Sequence, residues 1–201
     1  MDFMLYAIDS IVNQAAKWSH MFGGQAHPQV TIRGIINRGG EQGAQHSQAL
    51  HAWFAHVPGL RVVMPSTVAD ARDLLIASVL CKDPVVYIDD RWLYDQEAEL
   101  LPVHEIRLED QKPMITQSGV DITIVASGHA SLLAREASKQ LKNKDILSEV
   151  IDIRVLNPFN AEVIIESVMK TKHLLVVDSG WLSTGFSGEI VAKVIERLPV
   201  G

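Results

Sequence analysis

The chain has 201 residues, 47% of them apolar and 21% charged, with a net charge of −6. That balance describes a globular chain and excludes a disordered or fibrous one, and the acidic excess without a Lys/Arg cluster excludes nucleic-acid binding. The longest apolar runs, such as residues 85–88, are too short to span a membrane, and the single cysteine, Cys81, excludes an internal disulfide and a thiolate zinc site.

In chain order, Phe3, Ala7, Ile8, Ile11, Val12, Ala15 and Ala16 recur at helical spacing and stop at Gly23-Gly24, which predicts an amphipathic helix over the first twenty residues. Residues 30–32 lead as a strand into the polar, glycine-rich loop 37–43. A short helix over 47–56, closed by Pro58-Gly59, precedes a buried strand at 60–64 and a helix at 68–80. Thr67 and Asp70 form a capping-box pattern for that helix, with Ser66 as the alternative cap. Residues 85–88 read as the next buried strand, ended by Asp89-Asp90-Arg91. Strands alternating with helices predict an α/β chain with parallel sheets flanked by helices.

Between 95 and 118 acidic residues, Pro102, Pro113 and a Gln117-Ser118-Gly119 turn interrupt every period. Domains are accordingly expected at 1–104 and 120–201, joined by a linker at 105–119. The alternation then resumes: strand 121–126, helix 130–141, strand 148–153, helix 161–169 behind an Asn160 cap, strand 174–178 and helix 189–198.

Five of the eight histidines, His20, His27, His46, His51 and His56, lie in the first sixty residues. Steps of five between the last three do not stack on one helix face, so they do not read as a metal site. His51 and His56 read as helix-surface or interface residues. His46, where the glycine-rich loop enters a helix, is placed to reach a ligand. No GxGxxG follows a strand, loop 179–185 lacks a phosphate-binding lysine, and there is no GxSxG elbow. Met114, Met169 and the four tryptophans read as core or interface packing. Trp181, Leu182 and Phe186 form an apolar stretch in a Gly/Ser-rich loop, expected to contact another chain.

Longer strings carry a resemblance: residues 1–3 and 7–17, Gln45-His46-Ser47-Gln48, residues 54–66, Asp83-Pro84-Val85-Val86, Leu93-Tyr94, residues 149–158, residues 167–171 and residues 185–190. Together they resemble the β subunit of thiamine-diphosphate-dependent 2-oxo acid dehydrogenases, the first components of the pyruvate, branched-chain and acetoin complexes. The resemblance implies a partial transketolase-like pyrimidine-binding domain followed by a transketolase C-terminal domain. It implies that Phe3 packs against the aminopyrimidine of thiamine diphosphate and that His46 is the active-site histidine. An α subunit would hold the diphosphate and magnesium. A second β subunit and a lipoyl-bearing acyltransferase are the other implied partners, and a bacterial cytoplasm or an organelle matrix the implied location. The implied reaction is oxidative decarboxylation of a 2-oxo acid, pyruvate first, with acyl transfer to lipoamide. The alternatives are another transketolase-like enzyme and a scaffold that kept the fold without the chemistry.

Three departures accompany the resemblance. The family's general-acid glutamate lies upstream of a pair like Asp2-Phe3 and the family's end lies beyond this one, so the chain is expected to be truncated at both ends and inactive alone. The strand end reads Arg33-Gly34-Ile35-Ile36-Asn37, and Asp89 stands where a glutamate is usual. In some relatives carbonyls at the positions of Val30, Ser78, Val79, Cys81 and Asp83 hold a potassium ion. The resemblance thereby extends a potassium site to these five positions, with Cys81 standing where those relatives have an aspartate.

Overall fold

The computed structural model describes residues 1–37, 42–103 and 105–199. A helical segment opens the chain as a 3-10 stretch Asp2–Ala7, a π-helical stretch Ser10–Ala15 and α1 (Ala16–Met21). There follow β1 (Thr31–Ile36), a 3-10 turn Ala44–His46, α2 (His51–Ala55), β2 (Arg61–Val63), α3 (Val68–Leu80) and β3 (Val85–Asp90). Beyond the turns Arg91–Leu93 and Leu108–Asp110 come β4 (Met114–Gln117), β5 (Ile122–Ala126), α4 (Gly128–Lys142) and β6 (Ser148–Asp152). The last elements are β7 (Val155–Asn157), α5 (Glu162–Thr171), β8 (Leu174–Val177) and α6 (Phe186–Ile195).

The chain divides into two compact units, Met1–Gln111 with Val155–Pro158, and Lys112–Arg154 with Phe159–Gly201. The first holds a sheet ordered β1-β3-β2-β7. Its three leading strands are parallel, Thr31 lying opposite Val85 and Arg61 opposite the same residue on the other side. The second holds the sheet β4-β6-β5-β8, parallel between β5, β6 and β8. Each sheet also carries one antiparallel edge strand, β7 and β4, which the expectation of purely parallel sheets lacked. Both are short, and β4 falls inside the stretch expected as a linker, where two prolines hid it.

Most elements follow from local chemistry. Thr67 Oγ1 accepts the Asp70 N–H at 3.1 Å, so Thr67 caps the start of α3. The Glu162 N–H donates to Asn160 Oδ1 at 2.9 Å at the start of α5. α3 then buries Leu74, Ala77 and Ser78, and its apolar face joins Val63, Val85, Tyr87, Leu108 and Val155 in the first core. The second core gathers Ile124 and Ala126 of β5, Ala130 and Ala134 of α4, and Val150 of β6. Small residues on α4 let helix and strand approach closely.

Two expectations change. The opening segment is helical but not one regular α-helix, and of its apolar face only Ile11 and Ala16 are buried, while Phe3, Ala7 and Ile8 stay exposed. His51, expected at a helix surface, is buried, because α2 turns it inward together with Phe54 one turn on.

Candidate active site

Open parallel sheets bind ligands beyond the carboxyl ends of their strands. In the first unit that edge is supplied by β1 and β3. The loop leaving β1 leads to His46, and residues 38–41 of that loop lie outside the described residues. Gly34, on β1, allows the opening turn to lie directly on the strand, because a Cβ there would meet Met4 Sδ at 2.6 Å. Asp2 Oδ1 accepts the Gln48 N–H at 3.0 Å and ties that turn to the segment following His46. His46 ends its own short turn, its N–H donating to the Gly43 carbonyl at 3.2 Å, and Gly43 has the positive φ of 74° that this turn requires.

These ties bring together the two residues singled out from the sequence. The Phe3 and His46 rings meet edge to face, centroids 5.2 Å apart and planes inclined by 63°. Tyr6 lies nearly parallel to Phe3, 6.4 Å away at 17°. Phe3 remains 58% exposed, and His46 is exposed as well. An open aromatic platform with an imidazole at its edge can accept a planar ring and move a proton beside it.

Around the same strand ends lies a polar network. Arg33 Nε donates to Asp89 Oδ2, and Arg33 Nη2 donates to the Tyr94 hydroxyl at 3.2 Å. Burial pushes the Asp89 carboxyl above the ordinary carboxylate range, against the pull of Arg33. Burial likewise raises the Tyr94 phenol. Asn37 Nδ2 donates to Gln42 Oε1 at 2.7 Å, and Arg91 Nη1 donates to Asn37 Oδ1 at 2.8 Å. A cavity of about 190 Å³ lies within the same unit between Ser66, Thr67, Asp89, Asp90 and Tyr94. Sequence reasoning marked Asn37 and Asp89 only as departures and missed Arg91. The charged triplet at 89–91 directly after a buried apolar strand was the available signal.

The five potassium-site positions gather at the opposite, amino-terminal edge of the sheet. The Val30 carbonyl accepts the Val85 N–H at 2.9 Å, and the Val79 carbonyl accepts Gln29 Nε2 at 3.1 Å. Ser78 Oγ donates back to the Leu74 carbonyl at 2.6 Å. Arg61 Nε donates to Asp83 Oδ2 at 2.8 Å, and the buried Cys81 thiol lies 3.7 Å from Glu109 Oε1. Among the described residues no group of three or more His, Cys, Asp or Glu side chains could hold a metal ion.

In the second unit, Asp178 accepts the N–H groups of Gly180 and Ser187, each at 3.0 Å, and so staples the loop after β8 to the start of α6. A Cβ at Gly185 would stand 2.3 Å from the Trp181 carbonyl, which makes the turn tight. Trp181 and Leu182 project from it, 82% and 87% exposed. Phe186, expected on the same loop, instead opens α6 and is buried edge to face on Phe159 at 5.4 Å, since the helix turns it onto its own core. The other tryptophans, Trp18, Trp53 and Trp92, also reach the surface rather than a core of this chain.

The chain matches the model of the transketolase pyrimidine binding domain over residues 1–96 and that of the transketolase C-terminal domain over residues 111–200. It is 37% identical to the pyruvate dehydrogenase E1 component subunit beta of Rhizobium meliloti, over 98% of this chain and 43% of that protein. It is 38% identical to the acetoin:2,6-dichlorophenolindophenol oxidoreductase subunit beta of Cupriavidus necator, over 98% of this chain and 58% of that protein. The chain thus spans about half the length of the relatives it matches. A solved structure described as a split-gene transketolase, an inactive β4 tetramer, superposes with a TM-score of 0.80 at 23% identity, covering 99% of this chain and 62% of that one. That likeness concerns the fold. Two domain models in tandem over nearly the whole chain place it in the transketolase family, as a pyrimidine-binding domain followed by a C-terminal domain.

Proposed function

We propose that this chain is the β component of a thiamine-diphosphate-dependent 2-oxo acid dehydrogenase, acting on pyruvate and needing an α subunit. The observation that supports this most directly is the edge-to-face contact of Phe3 and His46 on an open face at 5.2 Å. The exposed Phe3 ring fits a planar aminopyrimidine, which would pack on it with His46 at the edge. When bound, thiamine diphosphate supplies the nucleophilic carbon that decarboxylates a 2-oxo acid.

The chain's own residues supply placement and proton movement. Gly34 and the Asp2 carboxylate hold the Phe3 turn against the sheet and the His46 segment. The His46 imidazole holds or gives up a proton at a ring nitrogen and orients the substrate and the incoming acyl acceptor. The Arg33, Asp89 and Tyr94 network stiffens the strand ends behind it. The α subunit binds the diphosphate and magnesium, a second β subunit completes the assembly, and a lipoyl-bearing acyltransferase receives the acyl group. Its proposed location is a bacterial cytoplasm or an organelle matrix; among the described residues no helix is long and apolar enough to cross a membrane.

The test is turnover of pyruvate, a branched-chain 2-oxo acid and acetoin by the full-length β subunit assembled with its α partner, with and without His46→Ala. The substitution is expected to lower turnover by about 10²- to 10⁴-fold, the range of a positioned acid–base group. Unchanged turnover would make His46 structural and overturn the assignment.

A further inference from the structure

We propose that the amino-terminal corner of the first sheet is closed by this chain's own donors in place of a potassium ion, and that the chain folds independently of potassium. The inference concerns stability and stands apart from the proposed reaction.

A helix end and a strand entry meet at this corner, and the last carbonyls of a helix have no partner within it. Such carbonyls need a cation, a side chain or water. Here the Val79 carbonyl, in the last turn of α3, is met by the Gln29 amide at 3.1 Å. Gln29 itself stands at the entry to β1, so the same bond pins the strand to the helix. The neighbouring Val30 carbonyl is taken up by the Val85 N–H of β3.

Charge and donor type point the same way. The single carboxylate among the five positions, Asp83, is already paired with Arg61 at 2.8 Å, and the Arg61 side chain is only 16% exposed. A guanidinium carries its charge at every working pH and repels a second cation placed beside the same carboxylate. At Cys81, where some relatives have an aspartate, the thiol turns toward Glu109, so no side-chain carboxylate stands there to draw in a cation. The corner therefore holds a fixed guanidinium beside its one carboxylate, and two of the five backbone carbonyls, those of Val30 and Val79, already accept hydrogen bonds from this chain. That charge and donor set does not fit potassium.

The experiment is thermal unfolding of the chain at one fixed ionic strength in potassium, sodium or choline chloride. A ligand that binds only the folded state stabilises it by RT ln(1 + [L]/Kd), so Tm climbs with ligand concentration. Equal Tm values in the three salts, within about 1 °C, are expected; a potassium-specific rise of about 3 °C or more that grows with potassium concentration at constant ionic strength overturns the proposal. Gln29→Leu and Arg61→Met are each expected to lower Tm by about 2–6 °C in sodium and choline chloride, the loss of one hydrogen bond or ion pair in a chain of this size. Recovery of Arg61→Met specifically in potassium chloride supports the replacement, because a metal ion then substitutes for the lost guanidinium. Unchanged Tm in both variants overturns it. If Arg61→Met does not fold, Arg61→Lys, which keeps the charge without the fork, is measured instead and is expected to melt lower in all three salts; an unchanged Tm overturns the proposal.

Discussion

Replacing Arg33 by methionine should strand the Asp89 carboxylate at the carboxyl edge of the first sheet. The pair is asymmetric, with the Arg33 side chain 54% exposed and that of Asp89 only 13%. Exposed pairs contribute about 0.2–1 kcal/mol and breaking a buried one costs about 3–5 kcal/mol, so a half-covered pair should cost about 1.5 kcal/mol. For a chain of this length that corresponds to a drop in Tm of about 3–6 °C. The pH dependence has a definite sign. Burial holds Asp89 above its ordinary value while Arg33 pulls it down, so removing Arg33 lifts it further. An acid whose folded pKa is raised stabilises the fold as pH falls through that value. The gap between wild type and Arg33→Met should therefore be widest near neutrality and shrink on acidification toward the ordinary value of 3.8. Adding Asp89→Asn should recover most of the loss, because no charge is then left stranded. Melts followed by circular dichroism from neutral to mildly acidic pH measure all of this. A pH-independent gap, or a double variant no better than the single one, would refute the reasoning.

Glu149 presents the opposite sign. Burial alone would raise it, but hydrogen bonds from Lys170, Ser167 and the Gly119 N–H outweigh burial and hold its carboxyl below the ordinary 4.5. Glu149→Gln should cost about 2 kcal/mol near neutrality, and the difference should vanish as pH falls through the depressed pKa; a gap that persists in acid contradicts this. Gly59→Ala should cost more than about 2 kcal/mol, since φ is 94° and a Cβ would stand 1.9 Å from the Ala16 carbonyl oxygen. Gly188→Ala, with open space around it in α6, should be neutral or stabilising, and similar urea midpoints for the two variants would sink the comparison. Trp181→Ala should leave Tm within about 1 °C because the residue is 82% exposed and so contributes little to its own core, while weakening association with the proposed α subunit by about tenfold or more in sedimentation experiments. A collapsed melt with intact assembly would show that Trp181 supports the fold.

Features that need only neighbours along the chain are legible in the residues alone. The bounds of α3 follow from a capping residue, an apolar face and an exit into Asp83-Pro84, and the structure has it at Val68–Leu80 as expected. The same local logic found the strands at the heart of each sheet, and the strings spread along the chain, with the spaced run from Gln45 to Ser66 as the most specific, together pointed to the family. Whatever depends on residues distant in sequence comes from packing. The edge strands β4 and β7 are short and carry little periodicity of their own, and they exist because β6 and β2 offer unpaired backbone groups. His51 and Phe186 are buried because packing chose which helix face turns inward, which a short helix does not announce. The aromatic platform depends on packing too. The resemblance assigns Phe3 and His46 to one cofactor, but their ring contact arises because Gly34 lets the opening turn lie on β1 while Asp2 reaches the backbone of Gln48.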